Sequence, residues 1–265
     1  ISMKKPTILI TGAATGIGRA TLEKLLLQGK YHLIAVVETV EQQEAMSKEE
    51  ESADVEIMKL DVTQTKDREV LIDKDIDIVI HNAGVGYTGS LYDVPMEKVR
   101  HNFEVNLFGI LEINKLLLPK MIERGSGRII AISSIAGRIP LPFFGSYNMT
   151  KYALSVGMED LRKELESIDS RISVSVVEPG AYHTGFNQQM VETRREYTSE
   201  NSPFYESLEK GIKKDLKQFE LLEVKNLDSI VKQIVKAVED DNPKFRYTAP
   251  WWQSVGVRLL RIFGK

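Results

Sequence analysis

A Rossmann-type α/β fold is predicted, with a doubly wound, mostly parallel seven-stranded sheet and helices on both faces. Three observations in the 265-residue chain predict it. Short apolar runs alternate with longer amphipathic ones along most of its length. A glycine turn, TGAATGIG at 11–18, stands between the first run of each kind. Two further turns, NAG at 82–84 and PG at 179–180, follow later apolar runs, so all three fall on the carboxyl edge of one sheet.

The first strand is TILIT at 7–11, after Pro6. Arg19–Gln28 follows as a helix with Leu22, Leu25 and Leu26 on one face, and Gly29 ends it as a C-cap. His32–Val37 is the second strand. The glutamates at 41, 44, 49, 50 and 51 then read mostly as the solvated face of a helix. Val55–Leu60 and Ile76–Ile80 are the third and fourth strands. Pro95 opens a long helix to about Arg124, with Val99, Phe103, Leu107, Ile110 and Leu111 at helical spacing. Arg128–Ser133 is the fifth strand, and Ile172–Val177 the sixth. Between them lies a helix over 146–169, with Leu154, Met158, Leu161, Leu165 and Ile168 expected on one face. A helix carrying Ile230, Ile234 and Val238 precedes a last strand at 245–248. Residues 186–225 interrupt the rhythm with a polar stretch, expected to be a mobile lid over the substrate. The tail, 249–265, is amphipathic and basic. It is expected to cover the cleft, join a subunit interface or touch a membrane surface, the last being least favoured because one short segment anchors weakly. The whole, 3–265, is expected to be a single catalytic domain.

Hydrophobic residues make up 42% and charged residues 28%, as in ordinary soluble domains. A net charge of −3 gives no footprint for nucleic acid. The chain has no cysteine, which removes disulfides and thiolate metal sites and fits a cytoplasmic enzyme. Its four histidines show no metal-binding spacing, so no metal is expected.

The chemistry concentrates at 133–151, SSIAGRIPLPFFGSYNMTK. Tyr147 and Lys151 are four residues apart and share a helix face. A free phenol titrates near ~10, and a nearby ammonium lowers that value. Ser134 stands upstream, placed to hydrogen-bond a substrate oxygen. The glycine turn lets backbone approach a phosphate, and the helix that follows offers free N–H groups to a pyrophosphate. At the end of the second strand, Glu38 and the acids after it repel a 2′-phosphate, which favours NAD over NADP.

These motifs, in this order, resemble the short-chain dehydrogenase/reductase family over residues 7–185: TGAATGIG at 11–18, DV at 61–62, NAG at 82–84, VNLFG at 105–109, ISS at 132–134, YxxxK at 147–151 and PGAYHT at 179–184. The resemblance implies that Tyr147 is the acid/base and that Lys151 lowers its pKa and holds the nicotinamide ribose. It implies that Ser134 orients the substrate oxygen and that Asn106 supports a proton relay to the lysine. Gly12, Thr15, Gly16, Ile17 and Gly18 would carry the pyrophosphate. Asp61 and Val62 would flank the adenine, and Asn82, Ala83 and Gly84 would lie along the cofactor. Pro179, Gly180 and Thr184 would meet the nicotinamide end. One departure is that the ribose-binding acid usual in NAD-dependent members aligns with Val37, and the arginine common in NADP-dependent members with Glu38.

The implied activity is hydride transfer between a nicotinamide cofactor and a lipophilic alcohol or ketone. The aromatic residues Tyr87, Phe143, Phe144 and Tyr182 are expected near the substrate, with a core or subunit role for the phenylalanine pair the equal alternative. An NADPH-dependent carbonyl or 3-oxoacyl reductase is the runner-up, and a non-catalytic NAD-sensing protein a remote third. A homodimer or homotetramer built on the helices at 95–124 and 146–169 is also implied.

Overall fold

The computed structural model describes residues 4–50 and 52–263; expectations falling on 1–3, 51 and 264–265 lie outside the described residues. Seven strands form one sheet: β1 (Thr7–Ile10), β2 (His32–Val37), β3 (Val55–Lys59), β4 (Ile78–His81), β5 (Gly127–Ile132), β6 (Ile172–Pro179) and β7 (Arg246–Ala249). Their order is β3-β2-β1-β4-β5-β6-β7, and every pairing is parallel. The order reverses between β1 and β4, which opens a crevice at their carboxyl ends.

Strand alternation divides the core in two. Ile8, Ile10, Leu33, Ala35 and Val37 point to one face, where they meet α1 (Gly16–Gln28), α2 (Val40–Glu49) and α9 (Asp228–Glu239) through Leu22, Leu25, Met46 and Ile234. Leu9, Ile34 and Val36 point to the other, packed with Ile113 and Leu117 of α5 (Gly109–Arg124) and with Leu154 and Met158 of α6 (Gly145–Ser167). The remaining helices are α3 (Thr65–Glu69), α4 (Met96–Phe103), α7 (Phe186–Tyr197), α8 (Tyr205–Leu222) and α10 (Trp251–Ile262).

Two segments differ from the expected pattern. The long helix from Pro95 is divided by a π turn, Glu104–Phe108, between α4 and α5. Asn106 sits inside that turn, fully buried. Gly109 ends it against the β3–α3 loop, where a Cβ would lie 2.7 Å from the Val62 carbonyl oxygen. An extra residue per turn re-aims a side chain, and such turns recur at functional sites.

Residues 186–222 form two helices rather than an irregular connection. Met190 and Val191 of α7 and Leu208 and Ile212 of α8 bury themselves against Phe144 and Tyr147. The pair is also tied electrostatically. Arg194 of α7 is fully buried over the Phe144 ring, 4.2 Å from its centroid, and donates to Asp215 of α8 at 2.6 Å. Glu223 closes the same unit by accepting from Asn187 and Gln188 at 2.8–3.0 Å.

Candidate active site

A cleft of about 560 Å³ runs along the carboxyl edge of the sheet. Among the expected site residues, Gly12, Thr15, Gly16, Ile17, Glu38, Asp61, Val62, Asn82, Ala83, Gly84, Ser134, Tyr147, Lys151, Pro179, Gly180 and Thr184 line it. Gly18 and Asn106 do not; each stands behind the wall and shapes it.

The glycine turn makes the floor. Gly12 and Gly16 adopt φ of +65° and +56°, which a side chain disfavours. A Cβ on Gly18 would stand 2.2 Å from the Gly12 carbonyl oxygen, so the start of α1 packs directly on the turn. Thr15 precedes α1 without a side-chain cap, leaving the first-turn N–H groups beside the cleft for an anion. Asn82 holds the turn in shape by donating from Nδ2 to the Gly12 carbonyl at 2.9 Å. This cradle fits a dinucleotide pyrophosphate.

Asp61 accepts from the backbone N–H and the hydroxyl of Thr63, and so fixes its own turn. Thr39 and Gln42 form a capping box at the start of α2, and Gln42 Oε1 also accepts from the Glu38 N–H at 2.9 Å. That end of the cleft presents Val37, Glu38, Gln42 and Asp61. Among the described residues lining the cleft, Lys151 is the one cation.

The reacting end is assembled by α6, β5 and the π turn. Tyr147 and Lys151 are both almost fully buried, and the Lys151 Nζ lies 5.7 Å from the Tyr147 ring centroid. Nζ donates to the Ile132 carbonyl at 2.9 Å, which anchors it at the end of β5. Asn106 braces the neighbouring loop through Val85, accepting from its N–H at 2.9 Å and donating to its carbonyl at 2.8 Å.

Burial pushes the Tyr147 phenol up to about 12, while a hydrogen bond with Ser134 works against that rise. Burial also pushes Lys151 down to about 8 from its ordinary 10.5. Burial drives both groups towards neutrality, and the phenol keeps its proton at neutral pH.

Between pH 8 and 10.5 the unfolded chain holds a proton on Lys151 that the folded chain has released, so stability rises with pH through that window. Below it, the buried ammonium costs up to about 3 kcal/mol. Lys151→Met is expected to raise the melting temperature at pH 7, and the gain should shrink as pH climbs towards 10.5. Thermal melts across that range check it; a variant less stable than the parent at pH 7 contradicts the burial cost.

Beyond Tyr147 the cleft has an apolar wall of Ile139, Leu141, Phe144, Tyr182, Phe186, Met190 and Phe219. Tyr182 and Phe144 stand where expected. Tyr87 and Phe143 do not line this cleft. Tyr87 packs on His101 with ring centroids 5.7 Å apart, and Phe143 lines a separate surface groove. Phe186, Met190 and Phe219 were not anticipated; the spacing Leu208, Ile212, Leu216, Phe219 carried the signal for the helix that supplies the last of them.

A family model described as short chain dehydrogenase matches residues 6–195. The mouse protein named dehydrogenase/reductase SDR family member 7B is 31% identical over 71% of this chain, and the match spans 61% of that protein's length. The Bacillus subtilis protein named uncharacterized oxidoreductase YusZ is 34% identical over 69% of this chain and 67% of its own. A Bacteroides thetaiotaomicron protein named 3-ketodihydrosphingosine reductase is 30% identical over 80% of this chain and 76% of its own. The fold matches a Burkholderia phymatum short chain dehydrogenase/reductase in complex with NAD at a TM-score of 0.79, with 20% identity, covering 98% of this chain and 94% of that one. A Burkholderia cenocepacia short chain dehydrogenase in complex with NADP matches at 0.70, with 23% identity, covering 98% and 99%.

Proposed function

The chain belongs to the short-chain dehydrogenase/reductase family, and we propose that it transfers hydride between a nicotinamide cofactor and a lipophilic alcohol or ketone. The observation that carries this reading is the joint placement of Tyr147, Ser134 and Lys151 in the one cleft that also holds the glycine cradle. The nicotinamide supplies or accepts the hydride when bound. The chain's own residues handle position and protons. Ser134 hydrogen-bonds the substrate oxygen, and the Tyr147 phenol gives that oxygen its proton in reduction or, as phenolate, takes it in oxidation. Lys151 binds the ribose beside it, while Asn106 holds the wall at Val85 and Gly84.

The apolar wall supports a lipophilic substrate, and a relative named 3-ketodihydrosphingosine reductase is in keeping with a ketone of that kind. Helices α7 and α8 act as the substrate lid in this reading, since Phe186, Met190 and Phe219 reach the cleft from them. A homo-oligomer is supported by apolar side chains left outward on the two long helices, among them Phe108, Tyr152 and Val156, which is 59% exposed. A cytoplasmic site of action agrees with the cysteine-free composition.

For the cofactor we propose NAD, because Glu38 stands where a 2′-phosphate would need a cation. Titration with NADH and NADPH, followed by nicotinamide fluorescence, tests it together with turnover of a panel of lipophilic ketones and alcohols. Tighter NADH binding with turnover of at least one ketone is expected; tighter NADPH binding overturns the cofactor assignment, and no turnover with either overturns the reaction. Glu38→Arg should shift the NADPH-to-NADH affinity ratio upward by about 10- to 100-fold, the range for one charge-assisted hydrogen bond replacing a repulsion.

A further inference from the structure

The last helix is built inside out. The buried side of α10 is largely polar: Gln253, Ser254 and Val257 face the domain. Gln253 accepts from the Ala181 N–H at 2.7 Å and donates to the Leu222 carbonyl at 2.9 Å, locking the helix to the rim of the cleft. Its outer side is apolar. Trp251, Trp252, Val255, Leu259, Ile262 and Phe263 are 43–74% exposed. At helical spacing these six fall within about a third of the circumference. Arg258 and Arg261 border that stripe on one side. Leu221 and Leu222, 76% and 42% exposed at the end of α8, extend it towards the lid. Large apolar side chains gathered on one exposed face mark a contact surface.

Charge decides what it contacts. No acidic residue occurs from Pro250 to Lys265, while the chain as a whole carries −3. A basic, tryptophan-bearing amphipathic helix matches an anionic lipid surface. A second copy packed on the α10 stripe would bring four arginines together around one apolar seam, while the end of α8 adds the exposed Glu220 next to Leu221.

We propose that this face of α10, with the end of α8, seats on an anionic bilayer surface. At twelve residues α10 lies in the interface, and no helix among the described residues is long and apolar enough to cross it. In sequence alone this contact is the least favoured, because a lone short segment anchors weakly. In the fold it is not alone: Gln253 pre-orders it and α8 widens the apolar area, so little ordering cost is left for binding. The seat also adjoins Ala181 and the α8 residue Phe219, both in the wall of the cleft. The inference concerns attachment and does not rest on the reaction proposed above.

The chain's two tryptophans, Trp251 and Trp252, both lie on this face, so tryptophan emission reports it directly. The full chain is mixed with phosphatidylcholine vesicles, with or without phosphatidylglycerol. A blue shift and co-sedimentation are expected with phosphatidylglycerol, weakened by salt. Arg258→Glu and Arg261→Glu should each lower partitioning by about fivefold or more, the worth of one basic side chain near such a surface. Leu259→Ser with Ile262→Ser should abolish it while NADH affinity stays, which separates lost docking from lost folding. The proposal is overturned by absence of shift and sedimentation with every vesicle, or by binding that phosphatidylglycerol and the arginine variants leave unchanged. It is equally overturned if emission is already blue-shifted without lipid and Leu259→Ser with Ile262→Ser lowers the oligomer size, for then a second copy covers the face.

Discussion

Tyr147→Phe is expected to lower turnover by about 10²- to 10⁴-fold, the range for removing a general acid/base, with NADH affinity little changed. The substitution takes away one hydroxyl and leaves the ring. That ring packs with Phe144, Met190 and Leu208 and lies 5.9 Å from the Phe186 centroid, contacts that phenylalanine keeps. Ser134 is the group whose hydrogen bond bears on that hydroxyl. In the reaction proposed above, reduction would draw on the phenol in its resting state, because burial holds its pKa up at about 12. Steady-state rates and a nicotinamide fluorescence titration on the same preparation separate chemistry from binding. Turnover within tenfold of the parent would remove Tyr147 from the reaction. Turnover abolished together with cofactor binding would place the residue in the binding wall instead.

The sequence and the structure agree most closely where local rules decide. The bounds of β2, His32–Val37, are the same in both, since a buried parallel strand is a continuous apolar run and its ends are marked by turn residues. The glycine cradle was legible because positive φ and close backbone approach leave glycine little competition at 12, 16 and 18. Asn106 was visible as a residue, yet its π turn was not, because the turn is imposed by contacts with Val62 and Val85 that lie far off in sequence. The helices at 186–222 were hidden by composition. Their outer faces are so rich in Lys, Glu and Gln that the average reads as a polar loop, while the burying stripe through Leu208 and Ile212 is narrow. Phe143 and Phe144 show the limit of pairing by proximity: adjacent residues point to different surfaces, one of them through a positive φ of 66°.

The other large effect is expected at Glu178, which no motif singled out. Its carboxylate is fully buried at the end of β6, immediately before Pro179 and Gly180 of the cleft wall. One oxygen pairs with Arg246 of β7, and the other with Arg138, which follows the 3₁₀ turn carrying on from Ser134. Arg246 is also held by Glu159 of α6 at 3.3 Å, but Arg138, 9% exposed, has no second carboxylate partner among the described residues. Glu178→Ala would leave a buried guanidinium uncompensated, at a cost of about 3–5 kcal/mol, a large share of the roughly 5–15 kcal/mol that holds a domain folded. Lys4→Ala, at an exposed pair with Asp75, should leave the unfolding midpoint nearly unchanged and serves as the comparison. Urea unfolding midpoints decide it: equal losses for the two variants would show that the buried pair is structurally idle. Removing both charges, as Glu178→Leu with Arg138→Met, should recover much of the loss, because the cost lies in the orphaned charge rather than in the absent attraction. If stability returns in that double variant while turnover does not, the pair's function is to hold the Ser134 segment against the Pro179–Gly180 wall. Stability would then be only the condition for that placement.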